Sequence, residues 1–87
     1  GCHITRGVQI GSNTFLGPGI ITMNDKYMNG ILTPPVIGLN SKIGGGSSIL
    51  PGVIIGDNAV VGSSSVVVKS VNDFEKVFGN PAKPIKI

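Results

Sequence analysis

Eighty-seven residues suffice for one domain, and a chain of that length buries only roughly 60–65% of its unfolded surface, a thin margin for a free-standing globule. Hydrophobic residues at 40% argue against disorder, and no stretch nears the roughly 20 apolar residues that cross a bilayer, so no membrane partner is expected. The net charge of +3 comes from scattered lysines without a basic stripe or interleaved aromatics, which argues against nucleic acid.

The apolar content is lopsided, with 12 Ile and 10 Val against 4 Leu and 2 Ala. Stiff β-branched side chains at that excess favour strands over helices. Fourteen Gly and six Pro punctuate the chain without a three-residue period, which excludes collagen and assigns the glycines to turns. The single Cys2 cannot close an internal disulfide, and no charged leader with an apolar stretch is in view, so a cytoplasmic location is expected.

In chain order the first elements are three six-residue units beginning at Ile4, Ile10 and Leu16. Six more begin at Ile37, Ile43, Ile49, Ile55, Val61 and Val67, and the first residue of all nine is aliphatic. Glycine follows it in six units (Gly11, Gly17, Gly38, Gly44, Gly56, Gly62), and apart from Ile20 the fifth residue is small or a short β-branched one. A helix repeats its apolar residues at three and four, and a simple strand at two. A strict period of six fits neither, but it fits short strands joined by tight turns: aliphatic residue inward, small fifth residue filling the space beside it, glycine at the corner. Three such strands close one triangular coil.

Units 4–21 give one coil, 37–54 a second, and 55–71 most of a third. Between the first two the register slips, so 22–36 is irregular chain, with Tyr27, Met28, Asn29, Gly30 and the Pro34-Pro35 pair marking an excursion at about 24–36. After Val71 the period stops. Residues 72–76 suggest a helical turn before an extended tail, and 72–87 reads as a segment capping a β domain over 1–71.

The hexapeptide pattern, with the run GPGIITMNDKY, the glycine-rich coils and GNPAKPIK, resembles the hexapeptide-repeat acyltransferases, and within them the N-acetyltransferases of nucleotide-linked amino sugars in surface-polysaccharide synthesis. The resemblance covers nearly the whole chain. It implies an all-β, left-handed parallel β-helix, a handedness that counting alone does not give. It also implies acetyl-CoA as co-substrate without a metal, and a homotrimer with active sites between subunits. The members it resembles usually carry earlier coils or another domain where this chain opens with Gly1-Cys2-His3, so a fragment or minimal form is expected. Related repeats occur in γ-type carbonic anhydrases and in structural caps; the former needs three histidine ligands, and His3 is the only histidine.

Acyl transfer from a thioester to an amine needs a neutral amine, a donor to the carbonyl oxygen as charge develops, and a groove holding both substrates. By resemblance the Asn24-Asp25 pair lies at the active site, Asn24 orienting the amine or carbonyl and Asp25 able to take a proton. Its bland alternative is a turn. Hexapeptide enzymes that acetylate sugar hydroxyls use a histidine near this place. None stands here, which favours an amine acceptor and leaves His3 as a third catalytic candidate, against its alternative as a solvated terminal residue.

The glycine- and serine-rich edge, with Gly45, Gly46, Ser47, Ser63 and Ser64, suits close approach of a pantetheine arm. It is not a phosphate loop, since the Gly-Lys-Ser/Thr ending is missing. The resemblance sets Asn80, Pro81 and Lys83 beside the nucleotide end of the co-substrate, with Lys83 first and Lys69 second as phosphate cations. Ile21, Ile54, Val60, Val66 and Val68 fall outside the inward positions, and an apolar outer strip of that kind predicts burial between subunits.

Overall fold

The computed structural model describes residues 1–25, 30 and 32–85. The loop residues Tyr27, Met28 and Asn29 named above lie outside the described residues. The repeat forms nine two-residue strands: β1 (Gln9–Ile10), β2 (Phe15–Leu16), β3 (Ile21–Thr22), β4 (Val36–Ile37), β5 (Lys42–Ile43), β6 (Ser48–Ile49), β7 (Ile54–Ile55), β8 (Val60–Val61) and β9 (Val66–Val67). Two longer strands follow, β10 (Lys76–Gly79) and β11 (Ala82–Pro84). No helix occurs among the described residues, so the protein is all-β.

The strands form three sheets: sheet I in the order β1-β4-β7, sheet II in the order β11-β10-β8-β5-β2, and sheet III in the order β3-β6-β9. The chain visits I, II and III in rotation, and every pair except the β10–β11 hairpin is parallel. Ile37 pairs with Ile55 across 18 residues, one full circuit, whereas Ile10 pairs with Ile37 across 27, so the excursion adds nine residues to its circuit.

The second residue of each two-residue strand points inward because successive side chains alternate across a pleat. Ile37, Ile43, Ile49, Ile55, Val61 and Val67 are buried, each worth roughly 1.5–3 kcal/mol relative to exposure. At the fifth position Ser41, Ser47 and Ser65 are buried as well, and each hydroxyl donates to the carbonyl three residues back, on Gly38, Gly44 and Gly62, at 2.8, 2.8 and 2.6 Å. A polar core position costs little when its hydroxyl is satisfied in this way.

Three expectations are corrected. The irregular chain does not begin at residue 22: Thr22 pairs with Ile49 and is buried, the inward residue of a further unit. Its polar side chain hides it from an aliphatic count, and its Oγ1 accepts the Thr5 N–H at 2.9 Å. The period does not stop after Val71 either. Val71 bridges to Ile55 and Val77 pairs with Val61, so the coil continues after a unit shortened by two residues, and residues 72–76 form a turn and the start of β10 instead of a helical turn.

The third correction concerns glycine. The residues behind the aliphatics do not supply the left-handed backbone; the fourth position of the unit does, as Gly7, Asn13, Gly19, Asn40, Gly46, Gly52, Asn58 and Ser64, all with positive φ. Asparagine tolerates that conformation better than other side chains. The second-position glycines answer to a different constraint, close stacking of coils: a Cβ on Gly44 would lie 2.5 Å from Ser63 N, and one on Gly17 2.5 Å from Gly45 N.

The outward apolar residues do not share one face. Ile21 and Val66 lie on sheet III with Ser48 between them, Ile54 lies beside Val36 on sheet I, and Val60 lies on sheet II between Lys42 and Lys76. Val68 follows the last strand of sheet III. Ile21, Ile54 and Val68 are exposed, Val60 and Val66 half-buried.

Candidate functional site

Three edges run along the coil where one sheet passes to the next. The edge between sheets I and II is closed by side chains. The Asp73 carboxylate accepts the Asp57 N–H at 2.8 Å, and the Asp57 carboxylate accepts the Leu39 N–H at 2.9 Å, a ladder that caps the third-position amides of successive coils.

The edge between sheets II and III has the same backbone but no such caps. It stacks Gly17-Pro18-Gly19, Gly44-Gly45-Gly46 and Gly62-Ser63-Ser64, bound coil to coil by Gly46 N–H to Pro18 O at 2.8 Å and Ser64 N–H to Gly45 O at 2.9 Å. Among the described residues the N–H groups of Gly45 and Ser63 donate to no protein atom. Gly46, Ser63 and Ser64 are exposed and Gly45 half-buried. Ser47 differs: it is fully buried and its hydroxyl is taken by Gly44 O and Gly62 O, the latter at 3.1 Å, so it offers the surface nothing.

This edge runs into the β10–β11 hairpin. The Gly79 N–H donates to Ser65 Oγ at 3.1 Å, and the turn holds exposed Asn80 and Pro81 joined by a cis peptide. Beyond the turn lies a cavity of about 470 Å³, lined among others by Lys69, Ser70, Glu75, Pro81, Ala82 and Lys83. Lys69 arrives from the corner after β9 and Lys83 from β11, so two candidate cations and Pro81 meet at one cavity.

The catalytic candidates stand elsewhere. Asn24 and Asp25 follow β3 at the edge between sheets III and I, so sheet III separates them from the Gly/Ser edge. Both are half-buried and engaged: Asn24 Nδ2 donates to Arg6 O at 3.0 Å, the Asn24 carbonyl accepts the Thr33 N–H at 2.6 Å, and Asp25 Oδ2 accepts the Gly30 N–H at 2.8 Å. These bonds close the base of the excursion. Exposed His3 bridges to Ile21 on the outer surface of sheet III, one strand away from the strand that leads to Asn24. A single chain therefore gathers its co-substrate candidates along one path and leaves the catalytic ones across a sheet. No group of three or more His, Cys, Asp or Glu arranged to hold a metal occurs among the described residues, and no described helix is long and apolar enough to cross a membrane.

Sequence reasoning missed the contrast between capped and open edges. Its signal was present, since aspartate stands at the third position of the units beginning Ile55 and Val71, while glycine and serine stand at that position in the units beginning Ile43 and Val61. It also missed Phe78, which sits where the coils below carry glycine.

Residues 34–69 match the family described as bacterial transferase hexapeptide (six repeats). A Saccharomyces cerevisiae protein that carries an acetyltransferase name is 40% identical over 88 residues, 91% of this chain and 45% of that protein. Among solved structures, a galactoside acetyltransferase in complex with coenzyme A is similar at TM-score 0.86 and 31% identity, over 98% of this chain and 48% of that one. A maltose O-acetyltransferase from Clostridium difficile is similar at TM-score 0.89 and 33% identity, over 98% of this chain and 51% of that one. The chain thus spans about half the length of these relatives, or less. In repeat, fold and sequence it is similar to the hexapeptide-repeat transferases.

Proposed function

We propose that the chain is the acyl-CoA-binding coil of an acetyltransferase, wound left-handed as its resemblance implies, which moves an acetyl group from acetyl-CoA to a small acceptor. The observation that carries this reading is the open edge between sheets II and III: Gly45 and Ser63 offer unpaired N–H groups on successive coils, where absent or short side chains let a ligand lie against the backbone. The amide carbonyls of a pantetheine arm are acceptors of the right kind, and backbone donors fixed in place cost no reorganisation when they bind. Lys69 and Lys83 supply point charges for the phosphates at the far end.

In the reaction the acceptor lone pair attacks the thioester carbonyl carbon, the C–S bond breaks, CoA leaves as thiolate, and the acceptor gives up its proton. Asn24 orients the reacting groups, with Asp25 or His3 as proton acceptor. The acceptor proposed from the sequence is the amino group of a nucleotide-linked sugar. A sugar hydroxyl is the second reading, favoured by the likeness to a galactoside acetyltransferase and a maltose O-acetyltransferase. A homotrimer belongs to the same proposal. With the loop and the Gly/Ser edge on opposite sides of sheet III, a threefold arrangement would bring Asn24 of one chain to the open edge of the next.

Thiol release from acetyl-CoA, followed with nucleotide-linked amino sugars in one series and galactosides and maltose in the other, tests the proposal and ranks the two acceptors. Asn24→Ala should lower turnover by roughly one to three orders of magnitude, with thermal melts reporting any loosening of the loop. Unchanged turnover would remove Asn24 from the site, and Asp25→Asn separates proton acceptor from turn former.

A further inference from the structure

The edge between sheets III and I makes the same four-residue turn in two of its coils, Thr5-Arg6-Gly7-Val8 and Leu50-Pro51-Gly52-Val53. In each the last N–H donates to the first carbonyl, at 3.5 and 3.4 Å, and the glycine takes a positive φ, 86 and 78. Pro51 shows that this turn asks for no charge at its second residue. The first coil nevertheless carries Arg6 there, the one arginine of the chain. Its backbone is fixed from several sides: the Thr5 N–H donates to Thr22 Oγ1 at 2.9 Å, Asn24 Nδ2 donates to Arg6 O at 3.0 Å, and a Cβ built on Gly7 would sit 2.9 Å from Pro34 Cγ, so the return of the excursion packs on the turn. The Arg6 side chain is exposed, and among the described residues no carboxylate pairs with it.

A lone exposed cation means little. This one stands on a rigid turn, one hydrogen bond from Asn24, whose Oδ1 takes no bond from the described residues and so stays open to an acceptor N–H. A planar guanidinium is matched to a carboxylate or phosphate, which it grips with two parallel hydrogen bonds. We infer that Arg6 selects the acceptor by charge, its guanidinium holding a carboxylate or phosphate of the acceptor while Asn24 orients the amine beside it. The inference rests on Asn24 standing at the place of acetyl transfer and deepens that reading: the acceptor is an anionic sugar, with its negative group close to the amine that is acetylated.

Three acceptors test it. UDP-glucosamine carries its anion in the diphosphate, glucosaminuronic acid carries it on the ring, and glucosamine has none. Thiol release from acetyl-CoA and calorimetric titration are followed for each with the full chain, as wild type, Arg6→Gln and Arg6→Lys. Wild type should prefer at least one anionic acceptor to glucosamine, and the preferred one locates the anion. For that acceptor Arg6→Gln should raise KM and Kd about tenfold or more, the range that loss of a charged hydrogen bond gives, with little change in kcat. Arg6→Lys should recover part of the loss, because a point charge remains, and added salt should shrink the preference. Wild type without preference for either anionic acceptor would overturn the inference. So would an equal loss on all three acceptors in Arg6→Gln, which would show a structural role. Arg6-dependent binding of an anionic acceptor without any thiol release would overturn the acetyl-transfer reading alone.

Discussion

Adding one methyl group at either of two neighbouring glycines separates their uses in this coil. In Gly44→Ala the new Cβ falls 2.5 Å from Ser63 N and 2.7 Å from Ser63 Cα, backbone atoms of the next coil that cannot swing away. Reaching an ordinary contact of about 3.4 Å requires the coils to part by about 0.9 Å. The Gly44 N–H to Val61 O bond, now 2.8 Å, would then exceed hydrogen-bonding range. Overpacking at about 1–3 kcal/mol and a lost backbone bond at about 1 kcal/mol give a cost of about 2–4 kcal/mol. In a domain this small that lowers Tm by roughly 10–25 °C. Two residues on, Gly46 has φ +73 and meets nothing closer than Ser64 Oγ at 3.4 Å. Asparagine holds the equivalent place at 13, 40 and 58 with φ between 56 and 59, so Gly46→Asn should change stability by less than about 0.5 kcal/mol, and Gly46→Ala should cost about 1 kcal/mol. Urea or thermal unfolding of the three variants measures the difference. Gly44→Ala as harmless as Gly46→Asn would refute the claim that coil spacing, not backbone conformation, reserves the second position for glycine.

Ser65→Ala removes a buried hydroxyl that donates to Gly62 O and accepts from Gly79 N, and should cost about 1–3 kcal/mol in urea unfolding; a neutral result would show that the hairpin does not depend on this bond. Thr22→Val keeps the shape but strands the Thr5 N–H, and should lower stability by about 1–2 kcal/mol. Asp57→Ala uncaps the Leu39 amide and should cost about 1 kcal/mol by the same assay. Sedimentation at micromolar concentration checks the proposed trimer, and a stable monomer of 8.9 kDa would rule it out along with the shared-site mechanism.

The six-residue period was legible because each inward position needs an apolar residue that fits a pleat, and Ile or Val meets that need in unit after unit. Thr22 escaped because its hydroxyl is satisfied by the first coil, a partner 17 residues away in sequence. The unit shortened before Val71 escaped because Val71 also fits the fifth position of the unit beginning Val67. The glycines were legible as corner residues but not in their reason, since conformational freedom and close approach leave the same letter in the sequence. The side chains that do stand at the fourth position, Asn13, Asn40, Asn58 and Ser64, tell them apart, because a place that accepts a Cβ is not reserved for glycine by crowding. For the candidate site, the Gly/Ser edge was legible in composition. Which amides stay open was not, because that depends on Asp57 and Asp73 lying one coil beyond the groups they cap.

The central claim is that the open edge binds the acyl-CoA co-substrate. Thermal unfolding of the chain with acetyl-CoA, CoA and UDP tests it most directly, because a ligand that binds the folded state raises its stability by mass action, about 2.7 kcal/mol at a hundredfold excess over Kd. A rise in Tm with both CoA forms is predicted, larger than any rise with UDP. An unchanged Tm with acetyl-CoA and CoA at millimolar concentration would contradict the account.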